Sequence, residues 1–174
     1  MRKRGFSLVE LVIVIALIAI LAYLLTLGLF RARANSKLAR VSSELVILSQ
    51  AMTTYAQDNN YQYPPDASRG LPSGLENYLS KSQYPASVWP YGVYDWDNWI
   101  HPVNGQQIYQ MSYRLCTLND ASIDPKRCAD PILFPTFNQY SAIFYCVQGP
   151  CIPHVDDITA PAYCVNCPVK KENY

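Results

Sequence analysis

The stretch Gly5-Phe6-Ser7-Leu8-Val9-Glu10-Leu11-Val12-Ile13-Val14-Ile15-Ala16-Leu17 opens an apolar run that ends only at Arg31. Such a run is about the length that crosses a bilayer as a helix. One carboxylate, Glu10, sits inside it. A charge within hydrocarbon costs several kcal/mol, roughly, and therefore marks function more often than accident. Before the run stand Arg2, Lys3 and Arg4, the basic flank that the positive-inside rule keeps in the cytoplasm. A cleaved secretory signal would carry a small-residue site after its apolar core. No A-x-A-like site follows here, so cutting after the core is not expected. A plain uncleaved anchor accounts for the orientation but leaves Glu10 without a job.

The order of these residues resembles the prepilin signal of type IV pilins and type II secretion pseudopilins: a basic leader, Gly5, Phe6, then Glu10 five residues into the mature chain, then about twenty apolar residues. The resemblance is strong over roughly residues 1–57 and looser beyond. It implies a membrane-embedded prepilin peptidase that cuts between Gly5 and Phe6 and N-methylates Phe6. A glycine on the acyl side lets the scissile backbone come close to the catalytic groups. Cutting exposes a positive amine on Phe6. Glu10 lies four residues on, one helical turn away on the same face. It can neutralise that amine within a subunit or meet the amine of a neighbour. In an apolar filament core such a pair acts mainly as a register device, because desolvation offsets much of its attraction. Many pilins carry a proline about twenty residues into the mature chain, roughly where Thr26 and Gly28 stand here instead.

Past the membrane-like half the pattern changes. Leu38, Val41, Leu45, Leu48, Met52 and Tyr55 recur at spacings of three and four, an amphipathic stripe. The helix predicted from Phe6 to about Gln57 is ~78 Å long at 1.5 Å per residue. The stripe is expected to pack on a sheet; a coiled-coil dimer is the other use for it. Asn59-Asn60 and Tyr63-Pro64-Pro65 end the helix. The organisation expected is a leader over 1–5, a membrane or filament-core helix over 6–30, an amphipathic stem over 31–58 and a β-rich domain over 59–174. The fold class is α+β: a long N-terminal helix packed on a small antiparallel sheet with disulfides.

The 174 residues accommodate one membrane segment and one compact domain. Heavy use of Tyr (14) and Pro (13) suits strands and loops over a helical bundle. The formal net charge is +1. Loss of Arg2, Lys3 and Arg4 takes Lys+Arg from 14 to 11 against 13 acids, a net of −2 before the new amine is counted. That is no footprint for strong nonspecific nucleic-acid binding, although Lys126, Arg127, Lys170 and Lys171 could form a local patch for DNA.

All six cysteines follow residue 115: Cys116, Cys128, Cys146, Cys151, Cys164 and Cys167. An even number crowded beyond a membrane segment reads as disulfides in an oxidising space. Fifteen pairings are open; short loops favour Cys116–Cys128 and Cys146–Cys151, which leaves Cys164–Cys167. A zinc knot is the rival reading.

In the domain, residues 59–98 read as a long connection with a short helix near Leu75–Leu79. Asn104-Gly105 signals a hairpin. Tyr109, Met111, Tyr113 and Leu115 then alternate with polar residues, a strand with the first set toward the stem. Tyr140 to Val147 is a second strand, turned at Gly149-Pro150. The segment Val93–Trp99 (VYDWDNW) has three readings. Some secretion pseudopilins hold calcium in a loop of this domain, and Asp95 and Asp97 could supply oxygens, though no EF-hand pattern is present. The carboxylates could instead be solvated beside packed aromatics. Trp89, Trp96 and Trp99 could also form an exposed adhesive patch.

Enzyme signals are missing: His101 and His154 sit in no HExxH, and there is no GxSxG or P-loop. No cofactor is expected beyond the calcium reading. The expected partners are copies of the chain in a helical filament, prepilin peptidase, the pilus or secretion assembly machinery, the cytoplasmic membrane, and a surface or DNA ligand. The expected location is the cytoplasmic membrane, single-pass with its N-terminus inside, and then a cell-surface filament.

Overall fold

The computed structural model describes residues 7–80, 85–116, 130–135, 141–152 and 161–167. Its dominant element is one helix, α1 (Leu8–Asp58), of 51 residues. Ser7 starts it in an extended conformation, and Asn59 stops it, its N–H still bonded to Tyr55 O and Ala56 O. Asn60 and Tyr61 then take left-handed φ (56° and 60°), which turns the chain back before Pro64-Pro65. The helix passes through Thr26 and Gly28 without a break; the Thr26 hydroxyl donates to Tyr23 O (2.7 Å).

Among the described residues four strands follow: β1 (Val93–Ile100), β2 (Gln107–Arg114), β3 (Ala142–Gln148) and β4 (Ala162–Cys164), in that spatial order. β1, β2 and β3 pair antiparallel, with Tyr94 opposite Tyr113 and Tyr113 opposite Ile143. The β1–β2 turn carries Asn104-Gly105, with Gly105 at φ 68°. β4 departs from the antiparallel expectation: it lies parallel to β3, Ala142 against Ala162. Thirteen residues separate the two strands, enough chain for the crossover that a parallel pair requires. The short helix after the stem is a 3₁₀ turn, Leu75–Tyr78.

Alternation along the strands splits the sheet into two faces. Tyr94 and Trp96 of β1, Met111 and Tyr113 of β2 and Ile143 of β3 meet Val41, Leu45, Leu48, Ala51 and Met52 of α1. All are buried, so the three-four stripe is used against the sheet and not in a coiled-coil pair. Each fully buried aliphatic side chain contributes about 1.5–3 kcal/mol of transfer free energy. Two hydrogen-bonded anchors fix the seam. The Tyr94 hydroxyl donates to Glu44 of the stem. Burial and then that carboxylate hold the Tyr94 phenol well above its ordinary pKa, so it stays a donor. The Tyr113 hydroxyl accepts the N–H groups of Val88 (3.1 Å) and Trp89 (2.9 Å), closing the connection onto β2.

Candidate functional site

At the start of α1 the local chemistry is a capping box. Ser7 Oγ accepts the Glu10 N–H (3.2 Å), and Glu10 Oε2 accepts the Ser7 N–H (2.8 Å). Two of the four unsatisfied donors of the helix start are thereby paired. Glu10 is therefore already bound to backbone within its own chain. The signal was legible as Ser-x-x-Glu before an apolar run, and the sequence reading passed over it. Gly5 and Phe6 lie outside the described residues, as does the amine proposed to pair with Glu10.

From Leu8 through Thr26, and again from Gly28 through Phe30, the helix is bare. Leu8 is 79% exposed and Val12 50%, and α1 is long and apolar enough to cross a membrane. From Ala34 onward one face is covered by the domain. A single rigid element thus carries an unpartnered apolar half and a packed half.

The second face of the sheet was misread. Val93–Ile100 is a full strand, not the end of a connection, and its carboxylates are not solvated: Asp95 and Asp97 are each fully buried. Arg114, on the neighbouring strand, reaches both, at 2.5 Å from Asp95 and 3.8 Å from Asp97. Asp95 Oδ1 also accepts the N–H groups of Arg69 (2.6 Å) and Gly70 (3.1 Å). Ser68 and Arg69 have left-handed φ (47° and 70°), a strained pair that aims consecutive N–H groups at one anion. Asp97 Oδ2 accepts Ser112 Oγ–H (2.8 Å) and Gln110 Nε2–H (3.2 Å). Gln110 Nε2 also donates to Ile152 O (2.8 Å). Burial first, and then the Asp97 charge, raise the Asp95 pKa above the usual carboxylate value, against the opposing pull of Arg114.

This donor set does not fit calcium. The two carboxylates are already countered by a guanidinium and by neutral N–H and O–H donors, where a cation would need open oxygens. Among the described residues no three His, Cys, Asp or Glu converge as metal ligands. The adhesive-patch reading also fails for two of its three residues: Trp89 is 3% exposed and Trp96 is fully buried, with Trp96 Nε1 donating to Pro64 O (3.0 Å). Arg114 was the residue missed. As the last polar residue of the β2 alternation, after Gln110 and Ser112, it shares a face with Asp95 and Asp97, but only the pairing of β1 with β2 shows it.

Cys146 is bonded to Cys151 and Cys164 to Cys167, with Cα–Cα distances of 5.6 and 5.5 Å, so neither pair is a zinc knot. Gly149, inside the first loop, has φ 99°, and a Cβ there would lie 2.3 Å from Gln107 O, so only glycine fits. Asn166 ties the second loop to the first, accepting the Cys146 N–H and donating to Cys146 O, both at 2.8 Å. Cys116 is disulfide-bonded as well. Cys128 lies outside the described residues, as do His154 and the basic residues Lys126, Arg127, Lys170 and Lys171.

The family model of the prokaryotic N-terminal methylation motif matches residues 1–23. Type II secretion system core protein G of Escherichia coli (strain K12) is 32% identical over 75 residues, 43% of this chain and 50% of that protein. The chain thus spans about half the length of this curated relative. No solved structure matches the chain.

Proposed function

We propose that this chain, a member of the type IV pilin and type II secretion pseudopilin family, is a structural subunit of an extracellular type IV pilus-like filament. The observation that carries the reading is the undivided α1, bare over its first half and packed on the domain over its second. A bare apolar helix half is satisfied first by lipid and then by the same halves of neighbouring subunits. Repetition of one such contact with a rise gives an open helical fibre. Prepilin peptidase cuts between Gly5 and Phe6 and methylates Phe6. The new amine then competes with the Ser7 N–H for Glu10, and the domain coats the outside. Disulfides in that coat suit a polymer exposed to shear and proteolysis, which favours a surface fibre serving attachment, motility or DNA uptake.

A second reading is a type II secretion pseudopilin in a short periplasmic fibre. It is favoured by the identity to core protein G. Intact mass and N-terminal sequencing of material sheared from cells separate the two. A chain starting at N-methyl-Phe6 and abundant in the sheared fraction supports the surface fibre. The same processed chain confined to membranes supports the pseudopilin. A chain that keeps Met1 in mature material overturns both.

A further inference from the structure

The apolar run of α1 stops at Arg31, and a cleft of about 460 Å³ opens there between the helix and the turn at 130–135. Arg31, Ala34 and Asn35 line one wall, Ile132 and Leu133 the other. The turn is firmly held. Asp130 accepts the Ile132 N–H through its carboxylate (3.1 Å) and the Phe134 N–H through its carbonyl (2.8 Å). Phe134 is buried against Trp89, ring centroids 6.4 Å apart. Ile132 is left facing outward, 48% exposed.

The charges near this cleft are unevenly answered. Arg31, Arg33, Lys37 and Arg40 all follow the apolar run, on the far side from Arg2, Lys3 and Arg4. In a helix oriented by that leader, this is the side where cations are ordinarily sparse. Arg40 is offset by Glu44 (2.8 Å), and Lys37 Nζ lies 5.6 Å over the Trp89 ring. Arg31 and Arg33 have no acidic partner among the described residues. Arg31 and Asn35 stand one turn apart on one face, a fork and an amide beside a projecting aliphatic side chain.

We propose that this cleft binds the phosphate headgroup of an anionic phospholipid in the leaflet from which α1 emerges. The inference rests on α1 being a membrane anchor. The Arg31 guanidinium takes the phosphate oxygens and Asn35 donates beside it. Ile132 enters the acyl boundary. The domain is thereby seated at a set height on the membrane before assembly, and entry into a fibre exchanges lipid for neighbouring subunits.

The test uses the full chain in nanodiscs of phosphatidylcholine alone and of equal parts phosphatidylcholine and phosphatidylglycerol. Backbone hydrogen exchange at 132–134 and native mass spectrometry of retained lipid are the readouts. The expected result is slower exchange and retained phosphatidylglycerol in the mixed discs. Arg31→Gln should cut retention roughly fivefold, the weight of one basic residue at a charged surface. Ile132→Ser should remove the protection at unchanged melting temperature. Equal exchange and retention in both discs would overturn the proposal. So would the same protection from inorganic phosphate in detergent, which would mark a soluble-anion site. Alkaline carbonate extraction reads the anchor separately. Release of the chain sinks the anchor reading, whereas retention with indifference to lipid charge sinks only the headgroup site.

Discussion

Arg114 holds two buried carboxylates on a face of the sheet that would otherwise be wet. Removing it leaves Asp95 and Asp97 neighbouring and without a cationic partner, so Arg114→Met should cost about 3–5 kcal/mol, read from the denaturation midpoint. An unchanged midpoint would show that the buried pair does not depend on Arg114 for its stability. Asp95 itself gives a signed pH prediction. Its folded pKa is raised, mainly by burial, so its contribution is fully present below the unfolded carboxylate value and is lost as pH rises through the folded one. The melting temperature of the native chain relative to Asp95→Asn should therefore fall with rising pH across the acid range. A rise over that range would show that Arg114 and the Arg69 and Gly70 N–H groups outweigh burial. At Tyr113, fully buried, Phe would orphan the N–H groups of Val88 and Trp89. We expect Tyr113→Phe to destabilise by about 1–3 kcal/mol, measured by denaturant titration.

At the scale of the element, the two halves of α1 should answer substitution differently. Leu45 is fully buried against the sheet, and Leu45→Ala should cost about 2–5 kcal/mol of domain stability. Val12, half exposed on the bare segment, should leave the melting temperature unchanged when cut to Ala and act only on filament yield. Thermal melts and the sheared-fibre yield of both variants would check this, and equal melting temperatures would sink the division. The helix was legible in the sequence because its evidence is local: an unbroken run of helix-compatible residues and a stripe at spacings of three and four. The boundary of β1 was not. Tyr, Trp, Asp and Asn in Val93–Trp99 mix strand formers with turn formers, and pairing with β2 decided for the strand. The parallel placement of β4 likewise depends on contacts and leaves no trace in three residues.

For the whole molecule, we propose that Glu10 links the monomer to the fibre. In the subunit it caps α1 through Ser7. In the assembly we expect it to take the Phe6 amine, so Glu10→Ala should leave the chain membrane-inserted and its domain as stable as before, but largely without fibres. Carbonate extraction, thermal melts and electron microscopy of sheared material would test this; abundant normal filaments would overturn it. By itself the sequence determined the long helix, the prepilin-type start, the stripe that packs on the sheet and a tail rich in cysteine, because each rests on residues close in the chain. Only the tertiary structure decided that Asp95 and Asp97 are buried against Arg114, that Trp89 and Trp96 are core, and that Arg31 faces Ile132 across a cleft. Those outcomes depend on which distant segments meet, and a carboxylate or an indole reads the same in sequence whether water or a neighbouring strand lies over it.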